Sequence, residues 1–127
     1  MLSVKIAFLI IVALVMLVYA IYYIGMAVML KKRKKTKEWI LTTKEAYDYG
    51  RKGDYHKSIE LAEKAIELNP KASEAWRLIG NAYEFLGDDM QECGDYDQAA
   101  EYYRKATEAW NKAKAINPRI IIQGYHE

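Results

Sequence analysis

The sequence predicts an all-α protein, in which one N-terminal transmembrane helix precedes two antiparallel helix hairpins, the second with elongated helices. Three observations predict this: a long uncharged run, apolar residues spaced three and four apart after it, and two turn motifs that divide each hairpin. Charge separates the same regions. Residues 1–30 hold one charge, residues 31–44 hold seven basic and one acidic residue, and residues 45–127 hold 11 basic and 16 acidic residues. Because the larger part is acidic, we expect no nucleic-acid partner.

Residues 4–30 form the predicted transmembrane helix. The 25 residues from Ile6 to Leu30 are uncharged, and about 20 suffice to cross roughly 30 Å of hydrocarbon. A cleaved signal peptide is the alternative, but its apolar core spans only about 7 to 15 residues and ends at a small-residue cleavage site. Ala20, followed by Ile21, does not make such a site. We therefore expect an uncleaved anchor.

Residues 31–38 form a predicted basic juxtamembrane linker. Positive charge beside a span stays in the cytoplasm, so we expect the N-terminus outside and the remaining chain in the cytoplasm. A basic run beside a membrane also attracts anionic lipid headgroups. The predicted headgroup contacts are Lys31, Lys32, Arg33, Lys34 and Lys35. We favour the plasma membrane of a prokaryote over an organelle outer membrane.

Residues 39–118 repeat a pattern at an interval of 34 residues, as in the pair Tyr49 and Tyr83. The second copy begins Trp76-x-x-Ile79-Gly80-x-x-Tyr83. Each copy contains a Gly-Asp-Tyr turn and ends in Asn-Pro; these are Gly53-Asp54-Tyr55, Gly94-Asp95-Tyr96, Asn69-Pro70 and Asn117-Pro118. The pattern resembles the tetratricopeptide repeat (TPR). The resemblance implies a fragment of an α-solenoid, with repeat 1 at 39–70, an elongated repeat 2 at 73–118 and a C-terminal tail at 119–127.

The second repeat is longer than the family period. Its two Asn-Pro ends are 48 residues apart, and the excess of 14 divides into seven before and seven after the second Gly-Asp-Tyr turn. Seven residues are almost two helical turns, so both helices lengthen while their apolar faces stay nearly in register. We prefer a helix that continues through Gly87; the alternative ends it there and makes residues 88–93 an acidic loop.

Few residues offer chemistry, and we predict no enzymatic activity, no cofactor and no metal site. The single cysteine, Cys93, lies on an apolar stripe, where buried filler is the expected role. His56 and His126 have no partnering motif. The densest group of carboxylates is expected to be a solvated helix tip plus a helix cap; it comprises Asp88, Asp89, Glu92, Asp95 and Asp97.

The family resemblance implies a groove, lined by the first helix of each hairpin, that receives a peptide tail or a helix of a protein partner. The candidate groove residues, which lie off the packing stripes, are Thr43, Tyr47, Arg77, Asn81 and Glu84. Arg77 and Asn81 lie one turn apart and could hold a carboxylate or a peptide backbone. This pair resembles part of the carboxylate clamp of some TPR domains; a solvated surface pair is the alternative.

Two repeats are fewer than solenoids usually need. We therefore expect the last hairpin to expose an apolar flank, covered by the tail isoleucines 120–122 or by another chain. The sequence thus leads to two functional hypotheses. One is a membrane-anchored adaptor that recruits a partner to the cytoplasmic membrane surface. The other is an oligomeric scaffold or small accessory subunit of a membrane complex, in which homo-oligomer contacts cover that flank.

Overall fold

The computed structural model describes residues 2–122, and the prediction of an all-α chain is confirmed for them. Four helices follow one another: α1 (Leu2–Arg51), α2 (Tyr55–Leu68), α3 (Ser73–Glu92) and α4 (Tyr96–Ile116). No residue in this range belongs to a strand. The contacts divide the chain into two units, one up to Lys35 and one from Thr36 onward.

From Ser3 to Lys35 the first unit is helical and exposed, and it contains the apolar run. By length and composition, α1 is able to cross a membrane. The predicted linker at residues 31–38 belongs to the same helix and does not leave the helical conformation. Lysine, arginine and glutamate are good helix formers, and neither glycine nor proline occurs between residues 26 and 49. The basic segment therefore continues α1 without a break.

The second unit is built around small side chains. Ten alanines are buried: Ala46, Ala62, Ala65, Ala72, Ala75, Ala82, Ala99, Ala106, Ala109 and Ala113. Leu78 is fully buried among those of the first three helices. The Ser58 hydroxyl of α2 donates a hydrogen bond of 2.7 Å to the Ala46 carbonyl of α1. Such short residues let neighbouring helices approach closely.

The two Gly-Asp-Tyr turns have the structure that their sequence predicts. Gly53 and Gly94 adopt φ angles of 85° and 83°, a left-handed conformation in which a side chain would be strained. The aspartate after each glycine caps the next helix. The carboxylate of Asp54 accepts from the Lys57 amide, and that of Asp95 from the Gln98 amide, each at 3.1 Å. Each glycine thus ends one helix and each aspartate begins the next.

We expect Asp95→Ala to lower the free energy of unfolding by about 1 kcal/mol, because it removes the acceptor for the first turn of α4. Asp95→Asn keeps a side-chain oxygen and should stay within a few tenths of a kcal/mol of wild type. Urea denaturation of the full chain in detergent micelles, followed by circular dichroism, measures both. Equal losses in the two variants would contradict the capping role.

The two Asn-Pro segments form the same turn. Asn69 and Asn117 each accept from the amide two residues later through the side-chain oxygen, in both cases at 3.1 Å. Each also accepts from the amide three residues later through the backbone carbonyl, in both cases at 3.0 Å. The predicted repeat ends are therefore structurally equivalent.

The second hairpin is elongated, as predicted. Helices α3 and α4 have 20 and 21 residues, whereas α2 has 14. The helix continues through Gly87, where a Cβ atom would lie 2.6 Å from Tyr103 Cε1. At Gly80, an added Cβ would overlap the indole of Trp110. The two glycines thus give two α4 aromatics room against α3.

Two side chains near the turn between α3 and α4 are exposed although they are apolar or aromatic. Cys93 is exposed, so the prediction of a buried filler is wrong. The helix ends at residue 92 and Gly94 turns the chain away, which removes Cys93 from the packed face. Tyr96 is 68% exposed at the first position of α4. Both departures occur at the turn, where the periodicity of the helix stops.

The predicted apolar flank of the last hairpin is present only in part. Tyr96 and Ile116, at the two ends of α4, are exposed. Between them, Arg104 pairs with Glu101 and Glu108 on an exposed ionic face. In the tail, Ile121 is 67% exposed, whereas Ile120 and Ile122 are half-buried. The tail isoleucines therefore do not fold back as one group.

Candidate functional site

Three of the five predicted groove residues line one cavity in the second unit. This cavity, which we call the groove, has a volume of about 520 Å³ and lies between α1 and α3. It contains Thr43, Tyr47 and Arg77, as predicted. Its complete lining is Trp39, Ile40, Thr43, Lys44, Tyr47, Glu74, Arg77 and Leu78. The first helices of the two hairpins thus form the groove together.

The groove has an apolar floor. Leu78 is fully buried there, and Trp39 and Tyr47 are half-buried against the same core. Ile40 keeps 48% of its surface exposed at the rim. The Thr43 hydroxyl donates to the Trp39 carbonyl at 2.8 Å, one turn earlier in α1, so it is already engaged. Shape and apolar contact, rather than hydroxyl chemistry, therefore dominate this surface.

Arg77 already holds a carboxylate in the structure. Its guanidinium pairs with Glu74 on the preceding turn of α3, with Nε donating to Oε2 at 2.9 Å. The Arg77 side chain is only 12% exposed. Lys44 is exposed on the α1 side of the groove and forms no salt bridge within residues 2–122. Lys44, and not Arg77, is the cation available to a ligand.

Asn81 lies inside the hairpin, so the predicted surface pair of Arg77 and Asn81 is wrong. Its side chain is fully buried and accepts a hydrogen bond of 3.1 Å from the Trp110 indole nitrogen. Helical spacing correctly places residues 77 and 81 on one side of α3. It carries no information about Trp110, which reaches over from α4 and covers Asn81. The resemblance to a carboxylate clamp fails for the same reason.

Glu84 does not line the groove. It is half-buried one turn beyond Asn81, and burial, followed by the nearby charge of Asp88, raises the pKa of its carboxyl group. The pKa of the Tyr103 phenol is raised to about 12, chiefly because its hydroxyl donates to the Asp88 carboxylate at 2.6 Å. The carboxylates near this helix tip thus serve as a hydrogen-bond acceptor, at Asp88, and as the helix cap at Asp95.

The described part of the chain contains no group of three side chains placed to hold a metal ion. The five basic residues of the 31–35 run are exposed in the first unit. They make no part of the groove lining.

Sequence reasoning missed five groove residues: Trp39, Ile40, Lys44, Glu74 and Leu78. The residues on α1 could have been found, because Trp39, Thr43 and Tyr47 are successive turns of one helical face. Glu74 is three residues before Arg77, the spacing at which opposite charges pair in a helix. Leu78 carries no signal of a binding role, because an apolar residue in a helix indicates only a core position.

Comparison with protein families finds that residues 39–112 match the tetratricopeptide repeat. The match covers more than half of the chain and begins at Trp39, the first residue of the predicted repeat 1. The match includes α1 from Trp39 onward and all of α3, the two helices that line the groove. No curated protein matches the chain.

Proposed function

Because this chain belongs to the tetratricopeptide repeat family, whose repeats bind proteins, we propose that it is a membrane-anchored adaptor. Its groove binds a peptide tail or a helix of a partner at the cytoplasmic membrane surface. The observation that carries the proposal is the open groove between the first helices of the two hairpins. Its volume of about 520 Å³ is in the range of ordinary ligand sites, which suits a few residues of a partner.

The groove chemistry favours a partner segment with an apolar side chain and a neighbouring carboxylate. The apolar side chain would rest on Trp39 and Tyr47, which are half-buried in the groove lining. The carboxylate would meet Lys44 at the rim. Since Glu74 already neutralises Arg77, capture of a C-terminal carboxylate by Arg77 would require breaking that pair. An internal segment of a partner therefore fits better than a chain terminus.

The anchor part of the proposal depends on α1. Its N-terminal run has the length and composition of a membrane span. The exposed basic residues 31–35 would remain on the cytoplasmic side and contact anionic headgroups, each contributing about 1 kcal/mol near the surface. In this arrangement, the span fixes the location and the repeats select the partner.

We expect a photo-crosslinking amino acid at position 40 to form a partner adduct in native membranes, whereas the same amino acid at position 41 should form none. Ile40 lines the groove and is 48% exposed; Leu41 is 65% exposed and does not line it. The crosslinked segment, made as a labelled peptide, should bind the full chain in detergent micelles. Fluorescence anisotropy should show at least about tenfold weaker binding to Ile40→Glu, because a charge replaces an apolar contact.

Leu41→Glu is the matched control and should bind the peptide as wild type does, because it makes the same change next to the groove. Lys44→Glu should also weaken binding if the segment carries a carboxylate. Equal adducts at positions 40 and 41, or equal affinities of Ile40→Glu and Leu41→Glu, would rule out the groove as the binding site.

A further inference from the structure

A second cleft lies on the opposite face of α3 from the groove. Its volume is about 450 Å³, and it is lined by side chains of α2, α3 and α4. The α3 residues at 76, 79 and 83 share one helical face, whereas those at 74, 77 and 78 share the other. The two cavities therefore have no lining residue in common.

The floor of this cleft is apolar and aromatic. Ile79 is 4% exposed and Ala109 is 3% exposed at its base. Trp76 and Tyr83 are half-buried and present part of their rings to the opening. Exposed aromatic surface of this kind is a favourable contact for an apolar side chain.

The walls of the cleft carry opposite charges. Glu63 and Glu67 on α2 are exposed, lie one turn apart, and form no salt bridge within the described range 2–122. On the α4 wall, the Lys105 ammonium is 5.5 Å from the centre of the Tyr83 ring and also forms no salt bridge there. The Lys112 ammonium nitrogen is 4.5 Å from the centre of the Trp76 ring and 3.4 Å from a carboxylate oxygen of Glu108.

Because the lysines of the cleft lie on the opposite wall, no salt bridge among the described residues neutralises the two carboxylates of the α2 wall. Two carboxylates at i and i+4 repel each other, and an external cation would relieve that repulsion. The pKa of the Tyr83 phenol is raised, first by burial and next by the negative charge of Glu63. The charge of Glu63 therefore acts inside the cleft. On the opposite wall, the Lys105 ammonium lies 5.5 Å from the centre of the Tyr83 ring and 6.0 Å from that of Tyr102, and its nearby anion, Glu101, lies outside the cleft lining.

We propose that this cleft is a second protein-binding site, which takes a peptide segment with an apolar side chain between a basic and an acidic residue. The apolar side chain rests on Trp76 and Tyr83, the basic residue meets Glu63 and Glu67, and the acidic residue meets Lys105. Because the two cavities lie on opposite faces of α3, both can be occupied together. The bridging of two different proteins rests on the proposed function of the groove, whereas binding at this second site does not.

A random peptide library displayed on phage tests the proposal against the full chain in detergent micelles. The bait carries Ile40→Glu, so that groove ligands are selected against. Enriched peptides should contain a basic, an apolar and an acidic residue in close succession. One such peptide, labelled for fluorescence anisotropy, should bind Glu67→Lys at least about tenfold more weakly than the parent. Lys105→Glu should weaken it similarly.

The matched control is Glu45→Lys, which makes the same change of net charge at an exposed α1 position outside the cleft and should leave the affinity unchanged. A peptide with glutamate in place of its basic residue should regain affinity for Glu67→Lys. The proposal is overturned if no peptide is enriched, if enriched peptides lack the pattern, or if Glu67→Lys and Glu45→Lys bind alike. Groove binding, measured at position 40, is unaffected by any of these outcomes.

Discussion

Trp110→Ala is expected to lower the free energy of unfolding by about 3 kcal/mol, near the lower end for loss of a packed tryptophan because the ring is half-buried. The substitution removes the indole that covers Gly80 and the hydrogen bond from its nitrogen to the buried Asn81. A small domain has only about 5 to 15 kcal/mol of stability in total. Urea denaturation of the full chain in micelles, followed by circular dichroism, measures the loss.

The same contact predicts that the effect of Gly80→Ala on the free energy of unfolding changes sign when Trp110 is replaced by alanine. In wild type, the added Cβ would lie 2.9 Å from Trp110 Cγ and closer still to other indole atoms, so crowding should cost about 1 to 3 kcal/mol. In Trp110→Ala, the space is open. There, alanine should stabilise α3 by up to about 1 kcal/mol, because it is the better helix former.

A double-mutant cycle of these four proteins gives the coupling directly. Gly87 and Tyr103 provide a second pair, in which the added Cβ would lie 2.6 Å from the tyrosine ring. If Gly80→Ala stabilised the wild-type chain as much as it stabilises Trp110→Ala, the indole would not be packed on Gly80. The elongated hairpin would then need a different explanation for its two glycines.

The parts of the fold that local chemistry determines could be predicted from the sequence. Gly53 and Gly94 mark the turns because few other residues adopt their positive φ, and Asp54 and Asp95 cap because their carboxylates reach the next free amides. The seven-residue excess on each side of Gly94 predicted two long helices, since seven residues return nearly to the same face.

The parts that depend on a distant neighbour could not be predicted in the same way. Periodicity gives the side of α3 on which Arg77 and Asn81 lie, but not which side chains of other helices pack against that side. Trp110, 29 residues after Asn81, covers the asparagine. Thr43, Tyr47 and Arg77 line one groove because both first helices present that face. The charge of the groove does not follow from Arg77 alone, because Glu74 pairs with it. Burial in a repeat protein therefore has to be judged between helices, not along one.

The sole cysteine of the chain offers a native probe of membrane orientation. Cys93 is exposed in the second unit, at the C-terminal end of α3. If the basic run holds residues after it in the cytoplasm, a membrane-impermeant maleimide should not label Cys93 in intact cells. It should label Cys93 fully after the membrane is permeabilised. A variant with Cys93→Ser and Ser3→Cys should give the opposite result, because residue 3 precedes the span.

Moving the charge should invert this labelling. The flank after the proposed span has five consecutive basic residues, Lys31 to Lys35, whereas the flank before it has one, Lys5. Replacing the five with glutamine and inserting five lysines before Lys5 reverses the difference without changing the apolar run. The positive-inside rule then expects Cys93 to become accessible in intact cells. A control with the glutamines alone leaves Lys5 before the apolar run and Lys37 and Lys44 after it, so the charge difference is small and labelling should be mixed. If Cys93 were labelled in intact wild-type cells, the repeats would face outward, and an adaptor at the cytoplasmic surface would be excluded.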